Sequence, residues 1–195
     1  MAAVSDYDRQ KDLKAFDDTK AGVKGLVDAG ISKIPRIFII PPEEMIKSST
    51  NTHVVNSAQL QIPTIDLQRV LLDGDIRQRA EIVDKIRQAS SRWGFFQVVN
   101  HGVGVDVLER VLEGVVRFFE QPQEVKMEYY TRDSGKSVLY SSNFDLYQSK
   151  AANWRDTLSF VMAPKPLDPL DLPAACRYVS IIQSTQLVIV CRTEN

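Results

Sequence analysis

The chain of 195 residues holds two histidines, His53 and His101, and two cysteines, Cys176 and Cys191. These are the side chains that could ligate a metal or act as nucleophiles. A mononuclear non-haem iron site needs two imidazoles and one carboxylate on one face, with positions left open for substrate and oxygen. Its compact half is normally His-x-Asp or His-x-Glu, because alternate residues of a strand face the same way. Here Val54-Val55 follow His53, and Gly102-Val103 follow His101. Neither histidine carries the carboxylate, so the sequence assigns no catalytic, cofactor-binding or metal-binding residue. A zinc site fares no better, since the cysteines lie far from both histidines and no ligand spacing repeats. There is no Gly-x-Ser-x-Gly, and "GVGVD" lacks the third glycine of a dinucleotide loop and the Lys-Ser/Thr of a P-loop. His101 reads as a strand-end histidine that hydrogen-bonds locally and shapes the turn at Gly102. His53 reads as a solvated loop residue. Asp66, Asp145 and Asp156 read as surface or capping carboxylates.

Elements must position whatever chemistry there is. Residues 6–28 read as one amphipathic helix, with Leu13, Phe16, Val23 and Val27 near one face and Gly30 as its stop. Pro35, Pro41 and Pro42 force extended or turn geometry through "IPRIFIIPPEE". Residues 47–61 are polar and loop-like. "IPTIDL" is a short strand, and Asp73-Gly74 breaks the chain. A helix spans 75–92 with Ile76, Ala80, Val83, Ile86 and Ala89 at helical spacing. "WGFFQVVN" is a second strand. A further helix covers 105–120, its expected stripe being Val105, Leu108, Val111, Leu112, Val115 and Phe119. "QEVKMEYY" is a short helical piece, residues 137–154 a loop or hairpin, and "WRDTLSFVM" a third strand. The tail "YVSIIQSTQLVIVCRTEN" is β-branched and poor in helix formers, with two short strands expected.

Charge is balanced at -1 and 44% of residues are hydrophobic. That leaves no electrostatic case for nucleic acid or an anionic membrane surface. No run approaches the roughly 20 apolar residues of a membrane helix. The charged N-terminus lacks the apolar core of a secretory signal. The expectation is a cytoplasmic chain with reduced cysteines and neither a nucleic-acid nor a membrane partner.

The strings "IPTIDL", "WGFFQVVNHG", the helix ending "FFEQP" and "WRDTLSFVMAP" carry a more specific signal in their order and spacing. Together they resemble the plant Fe(II)/2-oxoglutarate-dependent dioxygenases over residues 10–176. The upstream "FDDTKAGVKGLVDAGISKIPRIFI" resembles in particular the 1-aminocyclopropane-1-carboxylate oxidase homologues. The resemblance implies an α/β (α+β) fold. It would hold the N-terminal helical support and first strands of a double-stranded β-helix, or jelly roll, left incomplete. The implied divisions are residues 1–61, an N-terminal helix and loop segment; 62–176, the non-haem dioxygenase N-terminal domain; and 177–195, a divergent tail where the catalytic core would follow.

By the same resemblance, Fe(II) and 2-oxoglutarate, or ascorbate, serve the full-length family in oxidising a small molecule. The family's His-x-Asp, distal histidine and Arg-x-Ser match no position here. The chain is therefore expected to be a truncated member that binds no cofactor and is inactive alone. The alternatives are an interaction module that pairs by strand addition with a full-length relative, and an inert product. Tyr140 and Asn143 stand where related enzymes place a substrate-pocket loop. A tyrosine offers a flat apolar face with a polar tip, which suits a small amphipathic substrate.

Overall fold

The computed structural model describes residues 7–42, 44–45, 61–68, 75–162, 165–182 and 188–193. His53, Asp73-Gly74 and nearly all of the 47–61 segment lie outside these residues. Helices and a few strands mix, as an α/β class requires. The chain divides into two compact units, Met1–Ser48 with Glu109–Asn195, and Ser49–Leu108.

In the larger unit, α1 (Arg9–Asp18) starts at Asp8, whose side chain accepts from the Lys11 N–H. A second helix, α2 (Gly22–Asp28), follows after a break. The single helix expected over 6–28 is thus two. Lys20 at φ 52° and Gly22 at φ 67° stand in the left-handed region and turn the chain between them. Leu13, Phe16 and Val23 are buried with Ile37, Leu146 and Ala152. Val27 is not among them and is 43% exposed. Phe38 stacks edge-on against both Phe16 and Trp154, at 5.4 and 4.9 Å between ring centres.

The same unit contains most of α4 (Val105–Phe119), then α5 (Gln123–Met127) and three antiparallel strands. These are β3 (Val138–Ser142), β4 (Asp156–Val161) and β5 (Val188–Thr193), in the order β3-β4-β5. Tyr140 pairs with Leu158, and Leu158 with Cys191. Residues 137–154 thus contribute β3 and the connection to β4, the hairpin of the two alternatives, loop or hairpin, that sequence patterning leaves. Of the two tail strands expected, one forms; Ala174–Ile182 is 3-10 helical instead. The expected α4 stripe also needs correction. Val111, Val115, Phe118 and Phe119 are buried, whereas Val105, Leu108 and Leu112 are exposed. The helix is apolar around more than one face, so hydrophobicity alone does not select the packed one. Lys126 is buried, and its ammonium donates to the Phe119 carbonyl at the end of α4, at 3.1 Å.

The smaller unit is a strand-helix-strand. β1 (Thr64–Asp66) and β2 (Gln97–Val99) run parallel, Ile65 opposite Val98. Between them α3 (Ile76–Trp93) starts at Asp75 and ends at Gly94, φ 77°, whose N–H bonds the Ala89 and Ser90 carbonyls. That cap shortens the expected strand, since Trp93 belongs to the helix. Ile82 and Ala89 bury against Ile65, with Ile86, Leu67 and Phe96 around them. Ile76 and Val83 point away and are exposed.

Candidate functional site around Tyr140 and Asn143

Neighbouring residues of β3 face opposite ways, and Tyr140 points inward, fully buried. Its ring sits edge-on among Phe118, Phe119 and Tyr130, with centres 5.2–5.8 Å apart. Its hydroxyl donates to the Ala21 carbonyl at 3.0 Å and lies 3.4 Å from an Asp156 carboxylate oxygen. Asp156, first residue of β4, is also buried. Its two oxygens accept the Val23 and Lys24 N–H groups at 2.8 and 2.9 Å. A carboxylate from the sheet thereby caps the first turn of α2. Burial pushes the Asp156 carboxyl above the ordinary range, and the hydrogen bonds from Lys24, Val23, Ser142 and Tyr140 offset only part of that. Burial, and then the Asp156 charge, push the Tyr140 hydroxyl far up, so it stays a donor.

Gly22 is the residue that allows this approach. A β-carbon there would stand 2.4 Å from the Tyr140 hydroxyl and 2.6 Å from both Asp156 oxygens. The capping role read for Asp156 is present, but its helix lies 132 residues upstream in sequence.

Asn143 follows β3 at φ 57°, a left-handed backbone that asparagine tolerates. It too is buried. Its amide nitrogen donates to the Asn153 carbonyl at 2.7 Å, while its side-chain oxygen accepts the Asn153 N–H. One side chain thus closes the base of the loop between β3 and β4. Phe144, the next residue, is 92% exposed. Local spacing does not reveal this exposed aromatic as special; only the clamp behind it does.

Beside the loop base, Arg132 gathers four chain segments. Its Nε lies 2.9 Å from both Asp17 oxygens, and its terminal nitrogens donate to the Ser142 and Asn143 carbonyls at 2.7 and 2.6 Å. The Tyr130 and Tyr147 hydroxyls donate to the same Asp17 carboxylate at 2.5 and 2.9 Å. Burial pushes Asp17 up, but the bonds from Arg132, Tyr130 and Tyr147 outweigh it and hold the carboxyl below the ordinary range.

His101 takes no part in this. Its Nδ1 accepts the Val103 N–H at 3.1 Å, closing the turn over Gly102, φ 79°. Cys176 is buried with its sulfur 3.3 Å from the Gly114 carbonyl. Among the described residues no three His, Cys, Asp or Glu side chains stand close enough to hold a metal ion.

Comparison with known proteins identifies the family. Residues 62–180 match the family described as non-haem dioxygenase in morphine synthesis, N-terminal. A 1-aminocyclopropane-1-carboxylate oxidase homolog of Solanum lycopersicum is 54% identical over 87% of this chain and 45% of its own length. Homolog 1 of Arabidopsis thaliana is 48% identical over 96% of this chain and 50% of its own length. A deacetoxyvindoline 4-hydroxylase of Catharanthus roseus is 45% identical, with 90% and 43% covered. The chain belongs to the plant Fe(II)/2-oxoglutarate-dependent dioxygenase family and matches its N-terminal region. It spans about half the length of the curated relatives it matches. Among the described residues, no helix is long and apolar enough to cross a membrane.

Proposed function

We propose that these residues form the N-terminal portion of an oxygenase that uses Fe(II) and 2-oxoglutarate to oxidise a small molecule. The chain of 195 residues, by itself, neither holds iron nor turns over substrate. The observation that carries this reading is the match of residues 62–180 to a dioxygenase N-terminal domain, with two histidines in the whole chain and no His-x-Asp. In this reading the helices support the first strands of an incomplete double-stranded β-helix. Residues 1–61 form the leading segment, 62–176 the family's N-terminal domain, and 177–195 a divergent tail. The reading places the chain in the cytoplasm.

Tyr140 and Asn143 belong to the substrate side as positioning residues. Both are buried and hydrogen-bonded within the chain. Asn143 fixes the base of a loop whose exposed aromatic, Phe144, is the side chain free to meet an apolar ligand, while Tyr140 ties β3 to the turn before α2. The test is direct. The purified chain is titrated anaerobically with Fe(II) for binding, and is then supplied with O2 and assayed for succinate from 2-oxoglutarate. No stoichiometric iron and no succinate are expected; finding both would end the reading.

The second reading is a module that pairs with a full-length relative. It is favoured by the uncovered apolar surface of β2, where Val98 and Val99 are 39% and 41% exposed.

A further inference from the structure

The loop between β3 and β4 leans on the N-terminal arm, residues 7–42 with Glu44. A terminal nitrogen of Arg9 donates to the Ser149 carbonyl at 2.8 Å, and the Tyr147 hydroxyl donates to Asp17 at 2.9 Å. The Ala152 N–H donates to the Ile37 carbonyl at 2.8 Å, and the Lys150 ammonium stands 2.5 Å from a Glu44 oxygen. Among the described residues, every hydrogen bond and ion pair that leaves residues 144–152 ends on this arm. Apolar packing follows the same line. Leu146 and Ala152 are buried in one cluster with Leu13, Phe16, Val23 and Ile37, and Trp154 meets Phe38 edge-on.

The fastenings converge on Asp17. Arg132 holds the Asp17 carboxylate and, with its terminal nitrogens, the Ser142 and Asn143 carbonyls where the loop begins. The Asn143 clamp joins the two ends of the loop and leaves residues 144–152 to the arm. Proteins open locally in cooperative units, and residues that share one buried network are energetically coupled. We propose that the arm is a strap: residues 9–28 and 144–152 open as one body, and the loop carrying Phe144 is freed only when the arm lifts. The inference rests on the reading that puts this loop on the substrate side, and it adds the element that controls the loop's position. The alternative is a loop held by its Asn143 base alone, which opens without the arm.

The experiment is amide hydrogen exchange of the whole chain, without metal or ligand, read by mass spectrometry in peptides covering 9–28, 138–142, 144–152 and 156–161. Lys14→Gly weakens α1 at an exposed side chain that pairs with Asp18 in the same helix. Exchange in 9–28 and in 144–152 should rise by the same factor, about fivefold for a glycine inside a helix. The strands 138–142 and 156–161 should keep their wild-type rates. Tyr147→Phe removes one bond from the loop side and should also speed both segments equally, because coupling between two sites is reciprocal. Phe144→Ala should change neither, its ring being 92% exposed. The proposal is overturned if Lys14→Gly speeds 9–28 and leaves 144–152 at its wild-type rate. It is also overturned if the strands speed by the same factor, since the whole unit then unfolds and no strap lifts. Succinate made by the chain alone defeats the proposed function and leaves the strap standing, whereas uncoupled exchange defeats only this inference.

Discussion

At the scale of single residues, the buried Tyr140–Asp156–Gly22 contact is the most exposed to substitution. Gly22→Ala drives a methyl group into the Tyr140 hydroxyl and the Asp156 carboxylate at a left-handed backbone position. It should lower stability by about 1–3 kcal/mol in urea denaturation. Gly30→Ala, also left-handed but with nothing within 4 Å, should cost only ~1 kcal/mol. The two acids give opposite pH signatures. Asp17 is held below its ordinary 3.8, so it stabilises the fold above that pH, and the contribution is lost as pH falls through the depressed value. Asp156 is raised, so its protonated form favours the fold, and that contribution is lost as pH rises through the raised value. Asp17→Asn should therefore lower stability at neutral pH and flatten the acid limb of a stability-pH curve. A steeper acid limb would contradict the assignment. Little of this contact was legible in the sequence. A capping carboxylate is readable when its helix follows directly, as at Asp75, but not when 132 residues separate donor and acceptor.

At the scale of elements, the loop between β3 and β4 is closed at its base by one side chain. Asn143→Ala removes both bonds to Asn153 and leaves its part-buried backbone N–H and carbonyl without that partner, at a cost of about 1 kcal/mol. Limited proteolysis should then cut between Phe144 and Tyr147 much faster than in the wild type. Phe144→Ala should change stability by less than about 0.5 kcal/mol, because the ring is almost wholly in solvent. If it instead unfolds the loop, the ring is a packing residue and has no claim on a ligand. Helices 76–93 and 105–119 were legible from their periodicity within a residue or two of each end. Which face they bury was not, since Val111 and Leu112 are equally apolar and only the first is covered. The break at residues 19–21 was illegible for the opposite reason. Leu13, Phe16 and Val23 keep a helical spacing across a turn that Gly22 permits and a distant carboxylate requires.

At the scale of the whole molecule, the match to longer relatives and the two-unit division lead to one expectation. Metal analysis after anaerobic Fe(II) incubation of this chain should give only a background amount of iron, because a facial triad needs two imidazoles and a carboxylate together; one iron per chain would overturn the proposed function. Family membership was legible from a handful of strings in order. The open side of β2 was not, because an alternating strand looks the same whether its second face meets water or protein.

The long-range bonds to α1 and α2 also set an order of events in time. Asp17 waits for Arg132, and the first turn of α2 waits for Asp156, partners 115 and 133 residues further along. At ribosomal rates of about 5–20 residues per second, the two helices are made on the order of ten seconds before the strands that dock them. Through that interval Leu13, Phe16 and Val23 have no core to enter. A segment made early is thus secured late, and a nascent chain halted before residue 132 should bind a chaperone through it.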